Sequence, residues 1–245
     1  MKRKYSGFLG RIGIRRELKQ NSPPVQVALE QSTRREWILL GSAKEDTHNN
    51  VIHLTEAVDN QKGAAIYRSI FNWKTVFVEF EYKMYSYGAD GICFFMADAD
   101  RWDGRTIGQG GGALCYCSSR NENNYGPGMD YGYLGVGFDV YGGEFSGGNA
   151  NSVTVRGPGI AHDFHHRLDK GHNILYTHRK LKLGGDEWRK IRIRVDLGHH
   201  PTISVFMTTE EDVFKNIVDK CEIPVDERYP TPNVYKFGIC GLHWT

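Results

Sequence analysis

The sequence predicts an all-β domain, a jelly-roll-like sandwich of two antiparallel sheets. From residue 36 onward, apolar and polar residues alternate with a period of two, which is typical of half-buried strands. Clusters of glycine and asparagine separate these stretches, as at 121–128 and 142–151. Convincing helical periodicity is absent, and only one short turn is predicted, at 210–216. A chain of 245 residues fits one large domain better than two small ones.

Three stretches show the alternation most clearly. Residues 76–84 place Val, Phe, Tyr and Met on one face and Glu and Lys on the other. Residues 191–197 and 203–208 repeat this arrangement with Ile, Val, Leu and Met on the apolar face. About a dozen strands of this kind exceed what one open sheet usually holds, so two packed sheets are expected.

The charge balance bounds the classes of partner. The formal net charge is only +2, which argues against a globally basic nucleic-acid-binding protein. No apolar stretch approaches the length that crosses a bilayer. Arg11, Arg15 and Arg16 interrupt the apolar character of the N-terminus, so we expect no signal peptide. The location expected from this is cytoplasmic, or in a virion or other particle.

Residues 1–24 differ from the rest of the chain because they carry seven basic residues against Glu17 and end in Pro23-Pro24. We interpret them as a basic arm that contacts protein neighbours in an assembly, and residues 25–245 as the sandwich domain. The alternatives are an arm for another anionic partner, an Arg-rich transit peptide and a solvated tail.

The five cysteines are Cys93, Cys115, Cys117, Cys221 and Cys240. Cys115 and Cys117 lie two apart in a predicted strand, without the Cys-x-x-Cys spacing of a redox or zinc pair. We therefore expect free buried thiols in a reducing compartment. A single disulfide between Cys221 and Cys240 is the alternative.

The most informative feature is Asp90, between Ala89 and Gly91 at the head of the apolar run 92–96. A carboxylate held still at a strand edge accepts charge-assisted hydrogen bonds from hydroxyl groups, as sugar recognition requires. The glycine-rich segment 108–112 could bring backbone N–H groups against the same ligand. Asp139 adds an acid on a later strand. We expect a rigid, solvent-facing Asp90 in a recognition site rather than a catalytic one.

Several ordered segments carry a family resemblance. They are Gly88–Phe95, Gly110–Leu114, Gly132–Asp139, Asn151–Gly159, Trp188–Leu197, Thr202–Thr208 and Phe237–Cys240. Together they resemble the L-type lectin-like domains of the concanavalin A-like superfamily, with most similarity in appearance to the bacterial lectin-like branch. The resemblance covers about residues 36–245 and implies the jelly-roll sandwich of that family.

The resemblance also implies roles for individual residues. Asp90 would follow a cis peptide and accept hydrogen bonds from two sugar hydroxyls. An N–H of Gly110, Gly111 or Gly112 would donate to the same sugar. An aromatic platform and an asparagine amide would complete the site. The candidates for these two roles are Trp102, Tyr125 and Tyr131 for the platform, and Asn149 and Asn151 for the amide.

The metal signature of the resembling family is incomplete here. Plant-type members bind calcium and a transition metal through two acids spaced two apart on the strand that ends at Asp139. In this sequence the partner position is Gly137, and 142–148 replaces the usual metal loop. We expect no metal, with calcium bound by Asp139 and loop carbonyls as the alternative.

The superfamily also contains glucanases, which need paired carboxylates flanking the scissile bond. The strand ending at Asp139 offers that acid alone, so we expect no enzyme. The function expected is a non-catalytic carbohydrate-recognition module within a larger assembly, with a glycan as ligand. The alternative is a structural coat or minor capsid-type component of a virion or particle, using the lectin fold without binding sugar.

Overall fold

A computed structural model describes most of the chain as β-strands. The described residues are 8–16, 25–27, 36–56, 58, 60–84, 89–119, 125–158, 173–185, 187–208, 213–225, 227 and 229–244. Within them the strands in chain order are β1 (Phe8–Arg16), β2 (Val25–Val27), β3 (Trp37–Gly41), β4 (Lys44–Asp46), β5 (Val51–Thr55), β6 (Gln61–Tyr67), β7 (Thr75–Met84), β8 (Ala89–Asp98), β9 (Gly132–Asp139), β10 (Ser152–Arg156), β11 (Ile174–His178), β12 (Arg189–Asp196), β13 (Thr202–Thr208), β14 (Phe214–Glu222) and β15 (Tyr235–Trp244). A 3₁₀ turn covers Gly111–Ala113.

The strands form two antiparallel sheets. Sheet I has the order β14-β13-β12-β7-β1-β5-β4, with β2 paired to β1. Sheet II has the order β11-β10-β9-β8-β15-β6-β3. The all-β sandwich predicted from the alternation is confirmed. Across the described ranges, no helix has the length and apolar character needed to cross a membrane.

The main core lies between the sheets and follows the predicted alternation. In β7 every second residue from Val76 to Met84 is buried, and the residues between them are partly exposed. The apolar positions of β12 and β13 join the same core. The predicted turn at 210–216 is wrong for residues 214–216, which begin β14, whereas 209–212 lie outside the described residues.

Sheet II is covered on both faces, which explains the unbroken apolar run in β8. Ile92 and Phe94 point into the main core, whereas Cys93 and Phe95 belong to a second apolar cluster on the opposite face. Loop residues between β8 and β10 complete this second cluster; they include Trp102, Leu114, Tyr116, Met129 and Phe145. The loops over sheet II are therefore packed against the sheet.

The N-terminal segment enters the domain. Strand β1 pairs along its whole length with β7, and its first residues pair with β5, so Phe8–Arg16 lies inside sheet I. This part of the predicted arm is a strand of the sandwich, and the boundary at residue 24 does not separate it from the domain. Residues 1–7 and 17–24 lie outside the described residues. The assembly-binding role of the arm stays a prediction.

The cysteines differ from both expectations. Cys115 and Cys240 form a disulfide, with Cα atoms 6.3 Å apart and a sequence separation of 125. The prediction of free thiols throughout is wrong, and so is the alternative pairing of Cys221 with Cys240. Cys93, Cys117 and Cys221 are free. Cys115 and Cys117 lie in a turn after Gly111–Ala113 rather than in a strand, because the loop folds onto sheet II there.

Candidate functional site

Asp90 lies near the start of β8, between β9 and β15 in the middle of sheet II. Its direct neighbour across the ladder on β15 is His243. Its backbone carbonyl accepts hydrogen bonds from Val140 N at 2.9 Å and Tyr141 N at 3.3 Å. The backbone of Asp90 is thus held by β15 on one side and by the segment that follows β9 on the other.

The side chain of Asp90 is buried, with only 3% of its surface exposed, so the expectation of a solvent-facing acid is wrong. Its Oδ2 atom has no hydrogen-bond partner in the described part of the chain. Burial raises the pKa of this carboxyl to about 7, and the nearby carboxylates of Asp139 and Glu144 raise it as well. A buried acceptor without a donor is rare in native proteins, because its desolvation is uncompensated.

Asp139 is the last residue of β9 and is completely buried. Its Oδ1 accepts a hydrogen bond from Gly142 N at 2.6 Å, and its Oδ2 accepts one from Gly143 N at 3.2 Å. Burial raises the pKa of Asp139 to about 6, although the Ser146 hydroxyl and these N–H groups lower it. Asp139 therefore anchors residues 142–149, which we call the site loop.

Glu144 of the site loop supplies the third carboxylate. We call Asp90, Asp139 and Glu144 the acid cluster. It is 9% exposed, and its Oε1 accepts a hydrogen bond from the Ser119 hydroxyl at 2.9 Å. Sequence reasoning missed Glu144, Ser119 and Ser146. The signal available was one acid inside an otherwise glycine-rich loop, directly after a strand that ends in an acid.

The glycine segment Gly110–Gly112 packs directly against the site loop. A Cβ atom at Gly112 would lie 2.5 Å from Gly143 Cα and 2.6 Å from Glu144 Oε2. Phe145 N donates a hydrogen bond to Gly112 O at 2.8 Å. Such close backbone contact requires glycine here. The structure therefore brings Gly110, Gly111 and Gly112 to the same end of sheet II as Asp90 and Asp139.

Asn149 ends the site loop and is engaged within it. Its Nδ2 donates a hydrogen bond to Ser146 O at 2.6 Å, and its backbone N–H donates to Ser146 Oγ at 3.2 Å. Because Ser146 also bonds to Asp139, Asn149 is linked to the acid cluster through one intervening residue. Asn151 follows the loop, and its N–H donates to Val140 O at 3.3 Å.

Two of the predicted aromatic platforms lie at the wrong end of sheet II. Trp102 N donates to Asp98 O at 2.9 Å, and Tyr131 O accepts from Asp98 N at 3.0 Å. Asp98 ends β8 eight residues after Asp90, which places them about 26 Å apart along the strand. Trp102 is also buried, with its Nε1 bonded to Thr106 O at 2.7 Å. The assignments of Trp102 and Tyr131 are corrected accordingly.

Other aromatic side chains adjoin the acid cluster and are exposed. Tyr141 follows Asp139 by two residues, has 66% of its surface exposed and bonds to Asp90 through its backbone. Tyr125 is also exposed and precedes Gly126, whose backbone pairs with Ser119 beside Glu144. Tyr141 was missed from the sequence, where alternation gives no sign that β9 ends before it.

The described residues supply only part of a calcium site at Asp139, which is the alternative to the metal-free site expected from the sequence. Each oxygen of Asp139 already accepts one N–H donor, which leaves one further lone pair on each oxygen. A side chain at Gly137 would run into the ring of Phe145, so that space is filled by an apolar group. No cluster of three or more His, Cys, Asp or Glu side chains suited to a metal occurs among the described residues. Calcium needs six to eight oxygen ligands, and Asp139 would supply at most two of them.

No family model matches this chain, and no curated protein sequence matches it either. Solved structures do match. The VIP36 exoplasmic/lumenal domain in its Ca²⁺/Man3GlcNAc-bound form is 17% identical, covers 85% of this chain and 77% of its own, and gives a TM-score of 0.58. The potassium-bound carbohydrate recognition domain of Emp46p is 11% identical and gives a TM-score of 0.59. The match covers 88% of this chain and 87% of the Emp46p chain.

These neighbours are L-type lectin domains of the concanavalin A-like fold. The fold of this protein is therefore the L-type lectin sandwich, and the resemblance predicted from the sequence is confirmed at the level of the fold. Emp46p has also been solved in a metal-free form, with a TM-score of 0.57 to this chain.

Proposed function

We propose that this protein is a non-catalytic carbohydrate-recognition module that binds a glycan at the Asp90 end of sheet II. The observation that carries the proposal is the buried Asp90 Oδ2, which lacks a donor in the described residues and lies beside two other carboxylates. A sugar hydroxyl is the kind of donor that such an oxygen accepts, and it reaches Oδ2 when the segments that cover the buried side chain shift on binding. Gly110–Gly112 and the exposed Tyr141 provide backbone N–H groups and an aromatic face at the same end.

The neighbours suggest which glycan to test first. VIP36 structures contain Man3GlcNAc, mannose and Man2, so mannose-containing glycans are the ligand class that we propose. The neighbours are recognition domains, which favours this function over a virion coat or capsid component. Partners in an assembly, contacted by residues 1–24, stay a prediction without support from the comparisons.

Catalysis is not part of the proposal. Strand β9 presents Asp139 with Gly137 two residues before it, rather than the paired acids of a glucanase. Both oxygens of Asp139 accept backbone N–H groups, which leaves this carboxylate poorly placed to attack a sugar or activate water. The Phe145 ring over Gly137, where a second acid would lie, is the reason that we propose binding without calcium.

The test is a glycan array probed with the wild type, Asp90→Asn and Asp98→Asn, each with EDTA and with added calcium. Asp98 lies at the far end of the same strand and provides the matched control. We expect wild type and Asp98→Asn to bind mannose-containing glycans equally well in both conditions. Above pH 7, where the wild-type carboxyl of Asp90 is charged, Asp90→Asn should bind at least ~10-fold more weakly, since a charged acceptor contributes about 1.5–3 kcal/mol.

Equal binding by Asp90→Asn and the wild type would refute this site. Binding by the wild type that disappears with EDTA would refute the metal-free mechanism but leave the glycan function standing. Failure of the wild type to bind any glycan would refute the function itself.

A further inference from the structure

A buried arginine, Arg156, contacts the backbone of the site loop. Arg156 ends β10 and has only 1% of its surface exposed. Its Nε donates a hydrogen bond to Phe145 O at 2.7 Å, and its Nη2 donates one to Glu144 O at 2.6 Å. One guanidinium therefore binds two successive carbonyl groups of the loop, and hydrogen bonds from a charged donor to such groups are short and strong.

The surroundings of Arg156 fix its orientation. Its guanidinium carbon lies 5.6 Å from the centroid of the Phe145 ring, and that ring packs edge-on against Tyr116 at 6.0 Å. Burial of a guanidinium is costly unless its donors are satisfied, and the two carbonyl contacts satisfy two of them. The planar fork of arginine reaches both carbonyls at once, whereas the single ammonium of lysine acts as a point charge.

The site loop contacts Asp139, Ser119 and the glycine segment of the candidate site. Its N–H groups at Gly142 and Gly143 bind Asp139, and Phe145 N binds Gly112 O. Glu144 holds Ser119. The two carbonyls that Arg156 binds belong to Glu144 and Phe145. Its contacts therefore hold both the residue that carries the third carboxylate and the residue that bonds to Gly112.

We propose that Arg156 is the positioning residue of this site: its guanidinium holds the site loop in the conformation in which the loop contacts Asp139 and Gly112, and glycan binding requires that conformation. Arg156 touches no sugar in this account and acts only through the loop. Its effect on glycan affinity rests on the proposed function. Its effect on the order of the loop does not.

The experiment measures amide hydrogen exchange by NMR together with glycan affinity in Arg156→Gln. Loss of the two charge-assisted hydrogen bonds should speed exchange at Gly142, Gly143 and Phe145 by at least ~10-fold. Exchange in β7 and β12 of sheet I should stay unchanged, and affinity for a mannose-containing glycan should fall at least ~10-fold. Arg156→Lys should give intermediate exchange and partial recovery of binding, which a general loss of stability would not produce.

Arg192→Gln is the matched control, because Arg192 lies on β12 of sheet I, where it pairs with Glu79 at 2.8 Å and stacks over Phe214. It should change neither the loop exchange nor the glycan affinity. If Arg156→Gln does not fold, the graded response of Arg156→Lys carries the test.

Unchanged loop exchange in Arg156→Gln or Arg156→Lys would overturn the proposal whatever the glycan result. Faster loop exchange of the wild type in EDTA would also overturn it, because a cation would then hold the loop. A loosened loop in a protein whose wild type binds no glycan would support the positioning role and refute the proposed function separately.

Discussion

At the residue scale, the carboxyl of Asp90 is exceptional because it is buried and has two other acids nearby. Asp139 and Glu144 face it, and His243 lies opposite on β15. Burial is the largest cause that moves its pKa from 3.8 to about 7. In the unfolded chain the group loses its proton near pH 4, whereas in the fold it keeps the proton to about pH 7. Its contribution to stability is therefore most favourable at low pH and is lost as pH rises through this window.

Asp90→Asn tests this assignment because an amide stays neutral at every pH in the window. The variant should gain stability relative to the wild type as pH rises from 5 to 8. The change in the pKa of Asp90 from 3.8 to about 7 corresponds to about 4 kcal/mol in the free energy of unfolding, which is the upper limit of this gain. Thermal unfolding of both proteins across this range measures the difference. A difference that does not change with pH would contradict the raised pKa.

The residues of the site were predictable to different degrees. Asp90, Asp139 and the glycine segment stand in short motifs next to apolar strands, so the sequence alone indicates them as candidates. Glu144 and Arg156 were not predictable in their roles, because both depend on how a glycine-rich loop folds back over sheet II. The burial of Asp90 depends on the same loop. Trp102 failed as a platform because composition cannot tell which end of a strand a later loop returns to.

At the element scale, β9 has an apolar cover over Gly137, the position where plant-type members of the resembling family carry a second acid. Gly137 lies between Val136 and Phe138, which face the main core, and its own face is covered by the Phe145 ring and by Leu114. The ring in turn lies beside Arg156. The alternation that predicts a strand here says nothing of this cover, because the covering residues come from other segments of the chain. Alternation did predict β7, β12 and β13 correctly, since their faces differ in polarity.

Gly137→Ala tests the close packing over β9. A methyl group there would collide with Phe145, so we expect a loss of about 1–3 kcal/mol in the free energy of unfolding. Gly198→Ala is the control, because a Cβ at Gly198 meets no atom within 4 Å, and we expect a change within about 0.5 kcal/mol. Urea unfolding measures both. Equal stability of the two variants would show that the ring of Phe145 does not cover Gly137.

At the scale of the whole molecule, both ends of the described chain are central strands. Strand β1 lies between β5 and β7 in sheet I, and β15 lies between β8 and β6 in sheet II. Their partners are far away in sequence, so local patterns give no indication of these pairings. This is why residues 8–16, which read as a basic arm from their charge, form part of the sandwich. The disulfide is a further long-range link, since it joins the loop over sheet II to β15.

The disulfide gives a prediction at this scale because it closes a loop of 125 residues. The chain-entropy model assigns a loop of this size roughly 4–5 kcal/mol of stabilisation. The double variant Cys115→Ala/Cys240→Ala should lose much of this in urea unfolding, while Cys221→Ala, which removes a partly buried free thiol, should change stability little. Titration of the denatured wild type should find three thiols before reduction and five after it, given one disulfide among five cysteines. Five thiols before reduction would contradict the bond. A count of three thiols before reduction would weigh against the reducing location expected from the sequence, because disulfides persist in oxidising compartments.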